Sequence, residues 1–314
     1  MIDKLHLYKA NISEVEKLQI IDKNNLTEYT EKGVKFYRNF KESKFFGGLN
    51  IEITTKNELK IFVSVHKYHN YLTTGKSTNH LPFSMKQARE TILKIIDQVG
   101  TDTAGMFVKM YEVGLNIVVP IDVKQLLARV TSIQAHERKK AYINPKYKGE
   151  RAVYTEFHKE IRVHFKLYDK VQEMKDKRAT EIPKENILRI ETSKNRQERL
   201  YLQKFLDRLE REQITFFKDW NGLQFEREIK APKGTTHQRK ELVKNIFSVG
   251  VEQVKNDIEN DYKNGVLTPK QRRVKQDFLK YWDTEKKQYT EVATKEEKVF
   301  FTAMKKAKKQ LTKL

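Results

Sequence analysis

Alternation of apolar and polar residues in two segments, residues 162–170 and 187–191, constrains the fold of this chain more than any other feature of its sequence. Side chains along a β-strand point alternately to its two faces, so each segment predicts a strand with one apolar and one polar face. The polar face of the first strand would carry His164, Lys166, Tyr168 and Lys170. The polar face of the second would carry Arg189, Glu191 and Ser193.

These polar faces hold reactive groups. A phenol with an ordinary pKa near ~10 attacks phosphorus poorly unless positive charge or a metal stabilises the phenolate. We expect Lys166 and Lys170 to supply part of that charge to Tyr168. A carboxylate such as Glu191 on a buried sheet face is costly unless something binds it, and a divalent cation is one candidate. The pattern therefore favours a tyrosine nucleophile beside an acidic site.

The first 190 residues mix strand-like and helix-like patterns. Strand-like segments at residues 49–55, 59–65 and 110–119 alternate with helix-like segments that begin at Ser84 and Asp122. Ser and Asp are common N-caps, and β-branched runs favour strands. We therefore predict an α+β fold with an antiparallel-rich central sheet and helices on one face.

The rest of the chain is predicted to be helical. Residues 195–212 and 236–262 have helical apolar spacing, and Thr268 precedes a proline in the position of a helix cap. The sequence thus predicts a catalytic domain at residues 1–194 and a basic helical region at 195–314.

Residues 270–314 contain fourteen Lys and Arg against six Asp and Glu. Arg272, Arg273 and Lys275 are the candidate phosphate contacts there, although a solvated basic face is the alternative.

Charge and composition narrow the class of partner. The chain has 63 Lys and Arg against 42 Asp and Glu, a formal charge of +21. Such an excess favours a polyanion, with nucleic acid as the leading candidate. A lysine-rich proteome or association with ribosomes would also give a basic chain, and basicity does not separate an enzyme from a binding protein.

The composition also argues against cysteine-based sites and membrane-spanning segments. The absence of cysteine excludes disulfides, thiolate zinc sites and cysteine nucleophiles. No apolar run approaches the ~18 residues that span a bilayer, and the first residues are too polar for a signal peptide. We expect a cytoplasmic protein that does not bind a membrane.

Four segments occur in the order found in rolling-circle replication initiators. They are residues 64–70 with Asn79 and His80 downstream, 111–116, 165–170 and 188–191. Over residues 45–195 the chain resembles the filamentous-phage replication initiators and the trans-acting Rep proteins of rolling-circle plasmids. The remaining residues match only in being basic and helical.

The resemblance implies a metal-dependent nicking reaction. Tyr168 falls where the family carries its nucleophile, and Glu112 and Glu191 would hold one Mg²⁺ or Mn²⁺ through oxygen ligands. Asn116 departs from the family pattern, which usually has a second acidic residue there. The products would be a 5′-phosphotyrosine link and a free 3′-hydroxyl that primes synthesis. The chain has no P-loop, so unwinding would come from another protein.

The same resemblance implies the partners and the setting. Origin DNA, single-stranded or supercoiled, would be the substrate, and a host helicase and polymerase would act with the protein in the cytoplasm of a bacterial host. A homodimer is compatible with this interpretation. The genetic element would be a phage or a plasmid. The residues expected to contact DNA are His66, Lys67, Asn79, His80, Lys166 and Arg189.

Structural roles remain as alternatives. Tyr168 alone fits a strand tyrosine at a sheet edge, and a buried salt bridge from Glu112 to Arg189 or Lys109 would need no metal. His66 and His69 would share a side only if their segment were helical. A non-catalytic nucleic-acid-binding protein is therefore the second interpretation, and a mobile-element nickase or transposase is the third.

Overall fold

The computed structural model describes residues 1–39, 47–133, 141–143, 150–158, 161–179 and 181–311. Within this set, residues 141–143, 150–158, 161–162 and 196–198 are described by their backbone alone. No helix in these ranges is both long enough and apolar enough to span a membrane.

The chain divides into two compact units. The first comprises residues 1–224 and 299–314, and the second comprises residues 225–298. The boundary predicted after residue 194 instead falls inside a strand of the first unit. The chain therefore leaves the first unit once, forms the second unit and returns.

The fold of the described residues is of the α+β class. Its strands are β1 (Ile2–Lys9), β2 (Thr27–Glu31), β3 (Val34–Arg38), β4 (Asn50–Thr54), β5 (Leu59–Ser64), β6 (Met106–Val119), β7 (Val130–Ile133), β8 (Ala141–Ile143), β9 (Glu150–His158), β10 (Ile161–Asp169), β11 (Asn186–Tyr201), β12 (Leu223–Phe225), β13 (Arg227–Lys230) and β14 (Thr290–Ala293).

The helices of the first unit are distributed between its strands. They are α1 (Glu14–Lys23), α2 (Val65–Thr74), α3 (Met85–Val99), α4 (Val123–Ala128), α5 (Lys170–Asp176), α6 (Leu202–Leu206) and α7 (Leu209–Asn221). The second unit contains α8 (His237–Val249), α9 (Val251–Lys263), α10 (Pro269–Lys280) and α11 (Trp282–Glu285). The last helix, α12 (Lys295–Leu311), begins in the second unit and lies mostly in the first.

A ten-stranded sheet organises the first unit. Its strand order is β2-β3-β4-β5-β1-β6-β11-β10-β9-β8, and all neighbouring strands are antiparallel. The prediction of a large antiparallel sheet is confirmed. Strands β1, β6, β11 and β10 lie side by side at its centre, although β1 is far from the others in sequence.

One face of these central strands is apolar. Phe165 on β10 packs edge-on against Trp220 of α7, and Tyr111 on β6 packs against Phe205 of α6. The Trp220 indole N–H donates to Thr192 Oγ1 at 3.0 Å, so its only polar group is satisfied in the core. Helices α6 and α7 therefore cover this face, which leaves the opposite face for polar groups.

Several predicted elements are confirmed. Residues 50–64 form the β4–β5 hairpin. Ser84 caps α3 through a capping box with Gln87, and Gly100 ends the helix in the left-handed conformation. Thr268 caps α10 in the same way.

The prediction of a helix over residues 195–212 is wrong. Strand β11 continues to Tyr201, and helix begins only at Leu202. The apolar positions Leu202, Phe205, Leu206 and Leu209 are buried, but they belong to two short helices, α6 and α7. Pairing with β6 extends the strand, because Leu200 and Tyr201 lie opposite Val108 and Phe107.

The basic charge is distributed unevenly between the units. Residues 225–298 hold 17 Lys and Arg against 13 Asp and Glu, whereas residues 299–314 hold five lysines and no acidic residue. The positive end of the chain thus belongs mainly to the first unit, on α12. Most of the formal charge of +21 therefore lies on the unit that contains the large sheet.

The second unit has a core of its own. Aromatic residues of α10, α11 and the following loop meet there, and Trp282 stacks on Tyr289 and packs edge-on against Phe278. Strands β13 and β14 pair with each other. The buried residues are Leu242, Val243, Ile246, Val254, Ile258, Phe278, Leu279, Trp282 and Tyr289.

Candidate active site

The polar face of the central strands brings the predicted site residues together. In the strand register, Glu191 lies opposite Lys166, and Tyr168 lies opposite Arg189. Glu112 lies opposite Ser193, whose hydroxyl donates to Glu112 Oε2 at 2.8 Å. Directly opposed residues share a face, so three strands contribute to one polar cluster.

A third carboxylate, Asp3 on β1, completes an acidic group that sequence reasoning missed. One carboxylate oxygen from each of Asp3, Glu112 and Glu191 lies within 4.8 Å of the others, and all three residues are buried. The register between β1 and β6 shifts by one residue between Ile2 and Lys4. This irregularity accompanies the turn of Asp3 toward the polar face, since β-bulges re-aim side chains.

The carboxylates have the chemistry of a site for a hard divalent cation. Mg²⁺ and Mn²⁺ take oxygen ligands, and all three groups are carboxylates. Glu112 Oε1 is buried and accepts no hydrogen bond from the residues described, although Lys4 Nζ lies 3.1 Å away. Burial raises the pKa of Glu112, and the nearby Glu191 carboxylate raises it further. A bound cation would relieve this repulsion, so the residues fit a metal.

Arg189 is the main counter-ion in the cluster. Its guanidinium donates to Asp3 Oδ2 at 2.5 Å and to Glu191 Oε1 at 2.9 Å. A third bond reaches Asn116 Oδ1 at 3.2 Å. The residue is 1% exposed, so its charge faces carboxylates and not solvent. Arg189, predicted to contact DNA, therefore lies beneath the polar face.

Glycine at position 114 makes room for this guanidinium. A Cβ added to Gly114 would lie 2.2 Å from Arg189 Nη2, well inside van der Waals contact. The residue sits opposite Glu191 in the β6–β11 register. A side chain there would push the guanidinium away from its carboxylates.

We expect Gly114→Ala to destabilise the protein by about 1–3 kcal/mol, since the buried arginine must move from its ion pairs. Urea unfolding would measure this cost. Because the clash is with Arg189, a double-mutant cycle with Arg189→Lys should give a coupling energy above about 0.5 kcal/mol. Additive effects of the two substitutions would show that the guanidinium does not require the glycine.

Tyr168 is linked directly to the acidic cluster. Its hydroxyl donates to Glu191 Oε1 at 2.8 Å. Burial raises the pKa of Tyr168 above its ordinary value, and the Glu191 carboxylate raises it further. The phenol is thus held protonated, with a carboxylate at hydrogen-bond distance as the acceptor for its proton.

The lysines predicted to flank Tyr168 lie in different settings. Lys166 Nζ lies 3.9 Å from both Glu112 Oε2 and Glu191 Oε2, and its side chain is 25% exposed. Lys170 does not share the strand face, because Asp169 caps α5 and Lys170 is the first residue of that helix. Lys170 is buried and forms an ion pair with Glu173 at 2.6 Å. Only Lys166 stands between the two glutamates.

Glu112 has a different cation from those weighed as alternatives. Lys4 lies opposite Glu112 in the β1–β6 register and forms the ion pair. Lys109 lies over the rings of Tyr8 and Phe107 instead. Burial by itself would lower the pKa of Lys4, but the surrounding carboxylates, led by Glu112, raise it. Lys4 therefore remains charged at the edge of the cluster.

The histidines of residues 64–70 lie on a helix, which is the case in which His66 and His69 were expected to share a side. Because α2 starts at Val65, His66 and His69 point to one side, and both rings pack against Phe83. His66 is 3% exposed, and burial lowers its pKa to about 2. His66 is therefore a neutral buried residue.

The other predicted DNA contacts are dispersed. Asn79 donates to both Asp3 carboxylate oxygens, which makes it part of the support of the acidic group. Lys67 and His80 are partly exposed in the first unit. In the second unit, Arg272 pairs with Glu259 at 2.8 Å, whereas Arg273 is exposed and Lys275 is partly exposed. The predicted residues thus do not form one group.

Comparisons with known proteins do not place the chain in a family. No protein-family model matches its sequence, and no curated protein matches it.

Proposed function

We propose that the protein is a metal-dependent tyrosine nickase that cleaves one strand of DNA and initiates rolling-circle replication. The observation that carries the proposal is the hydrogen bond from the Tyr168 hydroxyl to Glu191, inside a group of three converging carboxylates. A nucleophile, a proton acceptor and oxygen ligands for a cation therefore share one face of a sheet. These are the parts that metal-assisted phosphoryl transfer requires.

The proposed reaction is a transesterification. The Tyr168 oxygen attacks the scissile phosphorus and forms a new O–P bond, while the bond from phosphorus to the 3′-oxygen breaks. The phenolic proton passes to Glu191 Oε1, and the leaving 3′-oxygen takes a proton from solvent to become a hydroxyl. A divalent cation held by Asp3, Glu112 and Glu191 would supply positive charge to the phosphate. Later attack of that hydroxyl on the phosphotyrosine would reseal the strand without ATP.

Charge supports DNA as the substrate. Most of the positive charge lies on the unit that contains the acidic cluster, and Lys4 and Lys166 stand at the rim of that cluster. A polyanion would be attracted to such a surface in a salt-dependent way. Origin DNA, with a host helicase and polymerase, completes the proposal.

The metal site can be tested with Glu112→Gln. The substitution keeps the side-chain shape but removes a charge, so the affinity for Mn²⁺ should fall at least about tenfold and nicking should be lost. Calorimetry with Mn²⁺ would measure affinity, and circular dichroism would confirm that the fold is retained. Glu52→Gln is a matched control, because Glu52 is a half-buried strand carboxylate that pairs with Arg38 and Lys60. Unchanged Mn²⁺ affinity would remove Glu112 from the site.

A non-catalytic nucleic-acid-binding protein is the second candidate. The observation that favours it is the presence of Arg189, Lys4 and Lys166 beside the three carboxylates, since these cations already neutralise them. The two candidates differ in covalent chemistry. Incubation with Mn²⁺ and random-sequence single-stranded oligonucleotides should give a protein–DNA adduct on a denaturing gel for the nickase. DNA binding without any adduct would favour the second candidate.

A further inference from the structure

A cavity with a volume of about 250 Å³ lies next to the acidic cluster in the first unit. It is bounded by the ends of β6 and β11, by the loop before α3, and by the last turns of α12. Arg189 and Asn116 line it, and these two residues also belong to the hydrogen-bond network of Asp3 and Glu191. The cavity is thus separated from the carboxylate that accepts the Tyr168 proton by a single side chain.

The walls of the cavity combine apolar surface with polar edges. Leu81 and Val118 line it and remain 44% and 59% exposed, so they offer apolar surface that a ligand could cover. Asn116 and Gln310 add amide groups that donate and accept hydrogen bonds. Apolar walls with a few polar groups are typical of sites for small planar ligands.

Two buried imidazole nitrogens at the cavity have no partner. His66 Nε2 and His80 Nδ1 are buried and make no hydrogen bond to any of the residues described, and both residues line the cavity. Buried polar atoms are satisfied in the great majority of cases. A ligand with hydrogen-bonding edges of its own would satisfy both nitrogens.

The charges around the cavity favour a ligand that is attached to anionic groups. Lys306 lines the cavity, and the last two turns of α12 carry three further lysines, Lys305, Lys308 and Lys309. Glu185 is the one acidic residue among the lining residues described. Several cations along a helix suit a chain of phosphates better than a single phosphate.

We propose that this cavity binds one unpaired nucleobase of a DNA strand, adjacent to the phosphodiester that Tyr168 attacks. The inference rests on the proposed function, because it takes single-stranded DNA as the substrate. A free nucleotide offers the same base, so the experiment must distinguish a nucleotide from a strand. Binding of the base would fix which phosphate lies over Glu191, and so which bond is cut.

The experiment uses 2-aminopurine, a fluorescent base whose emission is quenched by stacking on its neighbours. A series of oligonucleotides carries one 2-aminopurine each, at successive positions of a strand that forms the adduct. If no strand forms an adduct, an oligothymidylate is used instead. Each oligonucleotide is bound to the Tyr168→Phe protein without metal. One position should brighten on binding, because the base leaves the stack of its neighbours for a cavity whose mouth is lined by Leu81 and Val118. This readout needs no cleavage, so a failure of nicking does not affect it.

Val118→Trp should fill the mouth of the cavity, abolish the brightening and weaken binding about tenfold to a hundredfold. Val34→Trp is the matched control, since Val34 is a strand valine of the same sheet with 50% exposure. Lys306→Ala should weaken binding more than Lys305→Ala, which changes a lysine on the same helix outside the cavity. Both lysines are exposed, so neither change threatens the fold.

Several results would overturn the inference. Brightening that survives Val118→Trp would show that no base enters the cavity, and so would equal brightening at all positions of an adduct-forming strand. Free 2-aminopurine deoxynucleoside monophosphate that binds as tightly as the strand would assign the cavity to a nucleotide. Absence of any DNA binding would overturn the proposed function together with the cavity, whereas nicking without a bright position would overturn the cavity alone.

Discussion

Replacing Tyr168 with phenylalanine should reduce nicking by about 10³-fold or more and eliminate the covalent adduct, because the ring that remains has no oxygen to attack phosphorus. DNA affinity should stay within about tenfold, since that affinity comes from cations that the change does not touch. The fold should persist, because Glu191 Oε1 still accepts the bond from Arg189. Adduct formation on denaturing gels and binding by fluorescence anisotropy measure the two quantities.

A matched control is available on the same sheet. Tyr8 on β1 also donates its hydroxyl to a glutamate, Glu58, but neither residue belongs to the acidic cluster. Tyr8→Phe should leave nicking unchanged within about twofold while removing a bond of the same kind. An adduct that persists in Tyr168→Phe, or that disappears in Tyr8→Phe, would contradict the assignment of the nucleophile.

The second large effect is expected from Arg189→Met. The change removes the counter-ion of two buried carboxylates, Asp3 and Glu191, so it should destabilise the first unit by about 3–5 kcal/mol. Trp220 belongs to the core of the first unit and Trp282 to that of the second. Urea unfolding followed by Trp220 fluorescence, in a Trp282→Phe background, therefore reports on the first unit alone.

The loss of stability caused by Arg189→Met should depend on pH. Burial by itself would raise the pKa of Asp3, but the Arg189 guanidinium holds it well below its ordinary value. A carboxylate with a lowered pKa contributes stability above its unfolded pKa of about 4, and loses it as the pH falls toward the folded value. The difference between Arg189→Met and the unmodified protein should thus be largest near pH 7 and shrink below about pH 4.

The control for this prediction is Arg272→Met in the second unit, where the arginine pairs with Glu259 at the surface. Such pairs contribute little, so the unfolding of the first unit should be unaffected. A cost for Arg189→Met that is the same at pH 3 and pH 7 would show that the carboxylates are not charged in the folded protein.

Strand alternation predicted the centre of the site well. The polar positions Lys166 and Tyr168 on β10 and Glu191 on β11 do share one face, because period-two patterning survives wherever a strand is regular and its other face is buried. The apolar run around Glu112 was correctly predicted as a strand. The position of Tyr168 beside Glu191 follows from the register of two neighbouring strands.

Other parts of the fold and of the candidate site depend on contacts between distant residues, which the local sequence pattern does not contain. In a regular strand Asp3 would face the same way as Leu5 and Leu7, and only the register irregularity of β1 turns it toward Arg189. Residues 195–201 were predicted as helix, but they belong to β11, in which Asn195, Leu200 and Tyr201 pair with β6. Tertiary pairing overrides local preference in both cases.

The path of the chain through the two units has a consequence for synthesis on the ribosome. Residues 299–311 of α12 belong to the first unit, yet they are translated after the whole of the second unit. The β-sheet and its acidic residues are therefore complete in the nascent chain well before the wall that holds Lys306 and Gln310. A protein whose translation stops early would carry the tyrosine and the carboxylates but not the closed cavity.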